Sequence, residues 1–204
     1  MDGTTEGLER RLADLLKIRA LDQLATESIA AYGSEIFGFL KNVLGEADAA
    51  AEVYSQTIED LWRGLSAFQG RCSMRSWCYV LAHSAAARYR RSPWNRQRTG
   101  DERLEQLVVQ AHTRTAPWLR TDIKDKWRAL RDALDPEDRA LLVLRIDRDL
   151  DWAEITRILI AEPDPSDAAL TRASARLRKR FQVLKQELRE RGKAAGLIEG
   201  RDGE

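Results

Sequence analysis

Apolar side chains recur at intervals of three and four residues along most of the first 92 positions, as in amphipathic helices. The two clearest runs lie on either side of Gly45, a residue type that commonly ends a helix. They consist of Ile29, Tyr32, Ile36, Leu40 and Val43, and then of Ala50, Val53, Thr57, Leu61 and Leu65. A leucine-bearing helix is predicted before them, and a third is predicted to start at Ser73, a favourable N-cap, and to end near Arg91. No alternation of period two persists with β-branched residues, so the pattern predicts an all-α fold.

The helical pattern stops between residues 92 and 120, where Pro93, Gly100 and Pro117 are found. This window is predicted to be a linker, and a second helical block follows it. The predicted organisation is an N-terminal helix (1–25), a first domain (26–91), the linker (92–120), a second domain (121–191) and a tail (192–204).

Three helix starts are predicted in the second block. Asp135 precedes Pro136, so its side chain is predicted to accept a hydrogen bond from an amide in the first turn of the next helix. Proline is favourable at the first position of that helix, because the amide hydrogen that it lacks would have no partner within the helix. Asp151 is predicted to start a helix of about two turns, which ends before Pro163. A long helix is then predicted from Ser166, rather than after an extended turn, because an apolar stripe continues from there to Leu188.

The composition is that of a globular protein, with 43% hydrophobic and 33% charged residues. No window is as apolar as a membrane span, and the first 17 residues do not resemble a signal peptide, so a cytoplasmic location is expected. Two cysteines, Cys72 and Cys78, are consistent with a reducing compartment.

Although the net charge is only +1, charges are strongly segregated. Residues 44–60 contain five acids and no base, and residues 84–98 contain five bases and no acid. Residues 171–191 contain eight bases and two acids. Such basic segments are expected either to bind nucleic acid or to form solvated helix faces.

A short helix followed by a longer, arginine-rich helix is typical of a helix-turn-helix motif. The second helix would enter the major groove of duplex DNA, with bases at its edges contacting phosphates. Its candidate DNA-binding residues are Arg172, Arg176, Arg178, Lys179, Arg180 and Lys185. A solvated helix face explains the same charge pattern equally well.

The segment that enters the third helix interleaves aromatic and basic side chains around Gly70, an arrangement suited to unpaired bases and their phosphates. Its candidate residues are Phe68, Gln69, Gly70, Arg71, Cys72, Ser73, Arg75, Trp77, Arg88, Arg90 and Arg91. Aromatic residues at helical spacing are more often core residues, so a purely structural role stays open for Trp77.

These motifs occur together in one order along the chain. They are Gly45, an acidic helix ending with Thr57 and Trp62, Phe68-x-Gly70-x-x-Ser73-x-Arg75-x-Trp77-x-Tyr79, Arg90-Arg91, Leu134-x-Pro136-Glu137, Leu142-Val143-Leu144-Arg145 and Glu154-Ile155. The combination resembles the bacterial extracytoplasmic-function sigma factors, a two-domain class of RNA polymerase specificity subunits. The resemblance covers residues 26–191.

The resemblance implies that residues 26–91 form a sigma region 2 bundle and residues 121–191 a region 4 helix-turn-helix domain. It implies that the second helix of the first domain binds a coiled coil of the polymerase largest subunit. The residues in question are Asp48, Glu52, Ser55, Gln56, Glu59 and Trp62. The loop 68–73 would hold a flipped base of the minus-ten element, the helix from Arg75 to Arg91 would line upstream DNA, and the second domain would bind the minus-thirty-five element.

The implied partners are core RNA polymerase, promoter DNA and an anti-sigma factor or other regulator, and the implied function is promoter recognition and opening without catalysis. No cofactor or metal is expected, because the cysteines and histidines lack zinc spacing and no phosphate loop or catalytic triad occurs. One alternative is a stand-alone helix-turn-helix regulator that binds duplex operators. Another is a helical adaptor or enzyme whose basic patches are only solvated faces.

Overall fold

The computed structural model describes residues 3–92, 123–160 and 166–197, and the described residues form helices and short connections without strands. The helices of the first half are α1 (Gly3–Lys17), α2 (Leu21–Leu44), α3 (Ala47–Gly64) and α4 (Met74–Arg91), with a 3-10 turn at Leu65–Ala67 after α3. Those of the second half are α5 (Ile123–Asp132), α6 (Pro136–Leu142), α7 (Trp152–Ile160) and α8 (Asp167–Ala194), with a π-helical turn at Val143–Asp147 after α6. The all-α prediction is confirmed.

Several helix ends lie where the sequence predicts them. Gly45 follows α2 in the left-handed conformation, with φ of 84°, and its amide donates to the carbonyl of Lys41. Ser73 and Ser166 cap α4 and α8, because their hydroxyls accept bonds from the amides of Ser76 and Ala169. The long helix therefore starts at Ser166, as predicted.

Other local features differ from the predictions. The segment treated as one N-terminal helix (1–25) contains a break, because Arg19 has φ of 60° and α2 begins at Leu21. Asp135 precedes α6, but its side chain makes no capping bond; it is exposed, so water can satisfy the first amides of that helix. At Asp151 the capping bond is present, since its Oδ1 accepts from the amide of Glu154 at 2.8 Å.

The apolar stripes pack the helices into two groups that meet. In the first half, α2, α3 and α4 pack against one another and α1 covers α2 and α4. In the second half, α8 packs against α5, α6 and α7. The two halves meet where α4 packs on α7 and α2 packs on α6, and this boundary is called the junction below. A single cluster of buried apolar side chains runs across the junction, from Phe39 and Tyr79 to Leu144 and Ile155.

The predicted linker lies outside the described residues from residue 93 onward, as does the tail from residue 198. Among the helices that are described, none is long and apolar enough to span a lipid bilayer.

Candidate nucleic-acid and polymerase interface

Helix α3 has one buried and one exposed face. Ala50, Val53 and Leu61 are buried in the core, which turns the opposite side of the helix toward solvent. All six residues predicted to bind polymerase lie on the exposed side: Asp48, Glu52, Ser55, Gln56, Glu59 and Trp62. Trp62 is 43% exposed, which is unusual for so large an apolar side chain. The face therefore combines carboxylates with one exposed aromatic ring, a composition suited to a protein partner.

The loop 68–73 connects the 3-10 turn to α4. Gly70 has φ of 67°, a conformation that side chains with a Cβ rarely adopt, so the chain reverses there at little cost. Gln69, Gly70 and Arg71 are exposed, whereas Phe68, Cys72 and Ser73 are partly buried. The loop thus presents short stretches of backbone and polar side chains to solvent.

Trp77 of α4 packs against the first residue of this loop, Phe68. Its ring stacks on Phe68 with centroids 4.5 Å apart and planes 22° apart. It also lies against Gly64, where an added Cβ would come within 2.9 Å of the ring. Trp77 is partly buried against the core, so most of its contacts are with the protein.

Glu9 of α1 fixes the start of α4. Its carboxylate accepts bonds from the amides of Met74 (2.8 Å) and Arg75 (3.0 Å), and the hydroxyl of Tyr32 donates to it at 2.5 Å. An acid beside the first amides of a helix also interacts favourably with the helix dipole. Sequence reasoning missed Glu9 because the contact spans more than sixty residues and no local motif marks it.

Arg75 is held inside the protein rather than extended toward solvent. Its guanidinium donates to Glu35 through Nε (3.0 Å) and Nη2 (2.5 Å), and Tyr79 donates to the same carboxylate at 2.7 Å. Burial and this acid raise the pKa of Tyr79, which keeps the phenol protonated as a donor. Arg75, predicted to contact DNA, is therefore engaged in a partly buried network.

The arginines at the end of α4 have different environments. Arg88 pairs with Asp60 of α3, and Arg90 donates to Glu137 of α6 at 2.5 Å, whereas Arg91 is exposed. The first two therefore already have carboxylate partners in this arrangement.

Glu137 is the acid at which α4 and α6 meet. His83, which is buried, lies 3.0 Å from Glu137 through Nε2. The hydrogen bond and the electrostatic interaction with His83, followed by the charge of Arg90, lower the pKa of Glu137 to about 2 despite partial burial. The carboxylate is thus ionised over the whole physiological range.

Helix α8 carries the other predicted DNA-binding set. Its core side is formed by Phe181 and Leu184, which are buried, while the basic side chains are exposed. The exposed set is Arg172, Arg176, Arg178, Lys179, Arg180 and Lys185. Arg180 is already engaged within the protein, because it forms a bidentate ion pair with the buried carboxylate of Asp138. Its Nε donates to Oδ1 at 2.8 Å.

An aromatic pair underlies the basic face of α8. Trp152 of α7 meets Phe181 edge to face, with centroids 5.6 Å apart. Arg145 and Arg178 each place a guanidinium 5.7 Å from the centre of the Trp152 ring, a cation–π arrangement. Arg145 was missed as part of this surface, since its neighbour Trp152 is seven residues away and on another helix.

Both cysteines are free thiols, Cys72 partly buried and Cys78 buried. Burial raises the pKa of the Cys72 thiol and raises that of Cys78 to about 12, so both stay protonated. Within the described ranges, no group of three potential ligands is placed to hold a metal ion.

Comparison with known proteins agrees with this arrangement. Residues 29–96 match the family model of sigma-70 region 2. The chain is also 26% identical over 161 residues to "RNA polymerase sigma factor YlaC" of Bacillus subtilis strain 168, an alignment covering 78% of this chain and 92% of that protein. The chain is thus similar to sigma-70 region 2 over residues 29–96 and to a sigma factor over most of its length, and the resemblance inferred from its motifs is confirmed.

Proposed function

We propose that this chain is a sigma factor that binds core RNA polymerase, directs it to promoters and helps to open the duplex. The observation that carries the proposal is the succession of three surfaces on one helical bundle. They are the exposed acidic face of α3, the loop 68–73 and the arginines of α4.

The exposed face of α3 is the proposed polymerase-binding surface. Its carboxylates suit a basic partner surface, and Trp62 supplies an apolar anchor of the kind that dominates binding energy at protein interfaces. An anti-sigma factor or another regulator that covered this face would block polymerase binding, and we include such a partner in the proposal. A cytoplasmic location belongs to the proposal as well.

The loop 68–73 is the proposed site for one extruded base of the non-template strand. Exposed backbone at Gly70 and the polar side chains of Gln69 and Arg71 can surround a base that has left the stack. Arg88, Arg90 and Arg91 would then neutralise the flanking phosphates, once Asp60 releases Arg88 and Glu137 releases Arg90.

In the second half, α8 is the proposed recognition helix for the minus-thirty-five element. Lys179 is exposed on this helix and available to phosphates, and Arg178 is exposed as well, with its guanidinium over the Trp152 ring, from which it would reach base edges. Arg180, tied to Asp138, is assigned a supporting role.

The test is run-off transcription with purified core polymerase on a genomic promoter library, followed by mapping of the selected start sites. We expect specific start sites that depend on this chain. The variant Glu52→Lys with Trp62→Ala should lose core binding, whereas Glu190→Lys, on an exposed part of α8, should keep it.

Two results would contradict the proposal. Failure to bind core polymerase while binding duplex operators tightly would favour the stand-alone helix-turn-helix regulator. Failure to bind polymerase and any nucleic acid would favour the adaptor.

A further inference from the structure

Helix α1 and the turn that follows it contact the loop 68–73, although they lie before residue 26, where the predicted first domain begins. None of the residues predicted to bind DNA or polymerase is in this part of the chain. The helix nevertheless packs on α4 as well as on α2. Three of its contacts fall at the start, the middle and the end of the loop.

The end of the loop, where α4 begins, depends on Glu9. The first two amides of α4, those of Met74 and Arg75, donate to its two carboxylate oxygens at 2.8 Å and 3.0 Å. Tyr32, which is buried on α2, donates to the same carboxylate at 2.5 Å and so fixes Glu9 in turn. Because these amides have no partner within their own helix, the place at which α4 leaves the loop is set by a side chain of α1.

The start of the loop is tied to the turn after α1. Arg19 donates through Nη1 and Nη2 to the carbonyl of Ser66, at 3.2 Å in each case, two residues before Phe68. Arg19 has φ of 60°, a conformation in which an arginine costs conformational energy and a glycine does not. The side chain at this position therefore lowers stability through the backbone while it supplies a contact to the loop.

The middle of the loop rests on Leu16. Its Cδ2 lies 3.3 Å from the position that a Cβ on Gly70 would take. Leu16 belongs to the apolar side of α1, whose neighbouring residues Leu12 and Leu15 are buried in the core. The reversal of the chain at Gly70 is thus seated on a helix that is itself anchored.

We propose that α1 is the positioning element of the proposed minus-ten site, in which Glu9, Leu16 and Arg19 hold the loop 68–73 in the shape that accepts the extruded base. This inference rests on the proposed function. Glu9 and Arg19 act through the loop and do not touch DNA. A loop that is already held in its binding shape loses less conformational freedom when it binds. Without these contacts, the loop should discriminate less between one base and another.

The first test is base selection by the full chain in complex with core polymerase. A single-stranded DNA library with randomised positions is bound to the complex, and the bound strands are sequenced. Discrimination at a position is the ratio of the most enriched base to the least enriched. Glu9→Gln leaves one acceptor oxygen for two amides, and the preferred base alone needs the held shape. We expect the ratio to fall about threefold at one position, as when the held shape is populated in about a third of the molecules.

Arg19→Gly separates positioning from stability. Glycine relieves the positive φ while the bonds to Ser66 are lost, so the melting temperature should stay at the wild-type value. We expect discrimination at the same position to fall about twofold, the loss that results when half of the molecules leave the held shape. Arg19→Lys keeps a charged donor and should retain the selection of the wild type. A contact with a structural role alone would not change base selection in a variant of unaltered stability.

Hydrogen exchange measured by mass spectrometry on the free chain reports the loop directly. The backbone amides of residues 69–75 should exchange faster in Glu9→Gln and in Arg19→Gly than in the wild type, because local opening is easier. The matched control is Arg10→Gln, which removes one positive charge at an exposed position of α1. It should leave exchange, melting temperature and base selection unchanged.

Unchanged base selection in Glu9→Gln and Arg19→Gly would overturn the proposal even if their amides exchange faster, since the shape of the loop would then not decide the base. An equal loss of selection in Arg10→Gln would overturn it as well, because charge alone would explain the effect. So would a loss confined to Glu9→Gln and accompanied by a lower melting temperature. A wild-type complex that never starts transcription in the run-off assay would instead refute the sigma-factor function, whereas exchange in the free chain would still report the contacts of α1.

Discussion

Trp77 shows how one side chain connects packing with the proposed DNA surface. Its ring stacks on Phe68 and also lies against Gly64, so it supports the loop 68–73 from the protein side. We expect Trp77→Ala to lower the free energy of unfolding by about 2 to 3 kcal/mol, somewhat less than for a fully buried ring. Thermal and urea melts measure this change. A fully stable variant that opens promoters poorly would instead indicate a stacking platform for DNA.

Gly64 gives a sharper test of the same contact. An added methyl group would come within 2.9 Å of the Trp77 ring, so Gly64→Ala should destabilise the wild type. In the Trp77→Ala background the clash is absent, and the better helix propensity of alanine should make the same change neutral or stabilising by up to about 1 kcal/mol. A double-mutant cycle in urea measures the coupling. Equal effects in both backgrounds would contradict the contact.

The lowered pKa of Glu137 predicts that the free energy of unfolding depends on pH. Its pKa is lowered to about 2 in the folded chain, mainly by His83, so the carboxylate stabilises the fold in its ionised form. This contribution is complete above the ordinary glutamate pKa and is lost as the pH falls toward 2. The stability difference between wild type and Glu137→Gln should therefore be constant above about pH 5.5 and should shrink as the pH falls from about 4.5 toward 2. Urea unfolding over this range is the measurement, and a difference that grows with acidity would contradict the pairing.

At the scale of the element, α8 separates two kinds of basic residue. Arg180 neutralises the buried carboxylate of Asp138, so Arg180→Ala should cost about 1 to 3 kcal/mol of stability. Lys179 is exposed, so Lys179→Ala should leave the melting temperature unchanged and reduce the salt dependence of binding to minus-thirty-five duplex by about one phosphate. Thermal melts measure the stability of both variants, and salt titrations of DNA binding measure the effect of Lys179→Ala. Equal melting temperatures for the two variants would show that the Asp138 pair is dispensable.

The elements also show how far sequence reasoning reaches. The ends at Gly45, Ser73 and Ser166 were predictable because each depends on one residue and its nearest amides. The π-helical turn at Val143–Asp147 was not, since an apolar run fits an α-helix equally well. The break at Arg19 carried no glycine or proline signal.

The same distinction applies to the candidate site. The exposed face of α3 and the basic face of α8 follow from helical periodicity, because the apolar residues must face the core. The partners of the site residues do not, since Glu35 meets Arg75 and Glu137 meets Arg90 only after the helices have packed. Contacts across forty or more residues leave no local pattern in the sequence.

At the scale of the whole molecule, the two halves were predicted to be separate helical domains, and this stays a prediction although they share one apolar cluster. We expect limited proteolysis to cut the chain between residues 93 and 120, leaving two resistant fragments. Because α4 packs on α7 and α2 on α6, the wild-type fragments should stay together in size-exclusion chromatography at low salt. The pair cut from Glu137→Gln, Glu154→Gln should separate under the same conditions, since the charged contacts of α4 have been removed. Resistance of that segment to cleavage would argue for one inseparable domain, and immediate separation of the wild-type fragments would mean that the junction contributes little to holding the halves together.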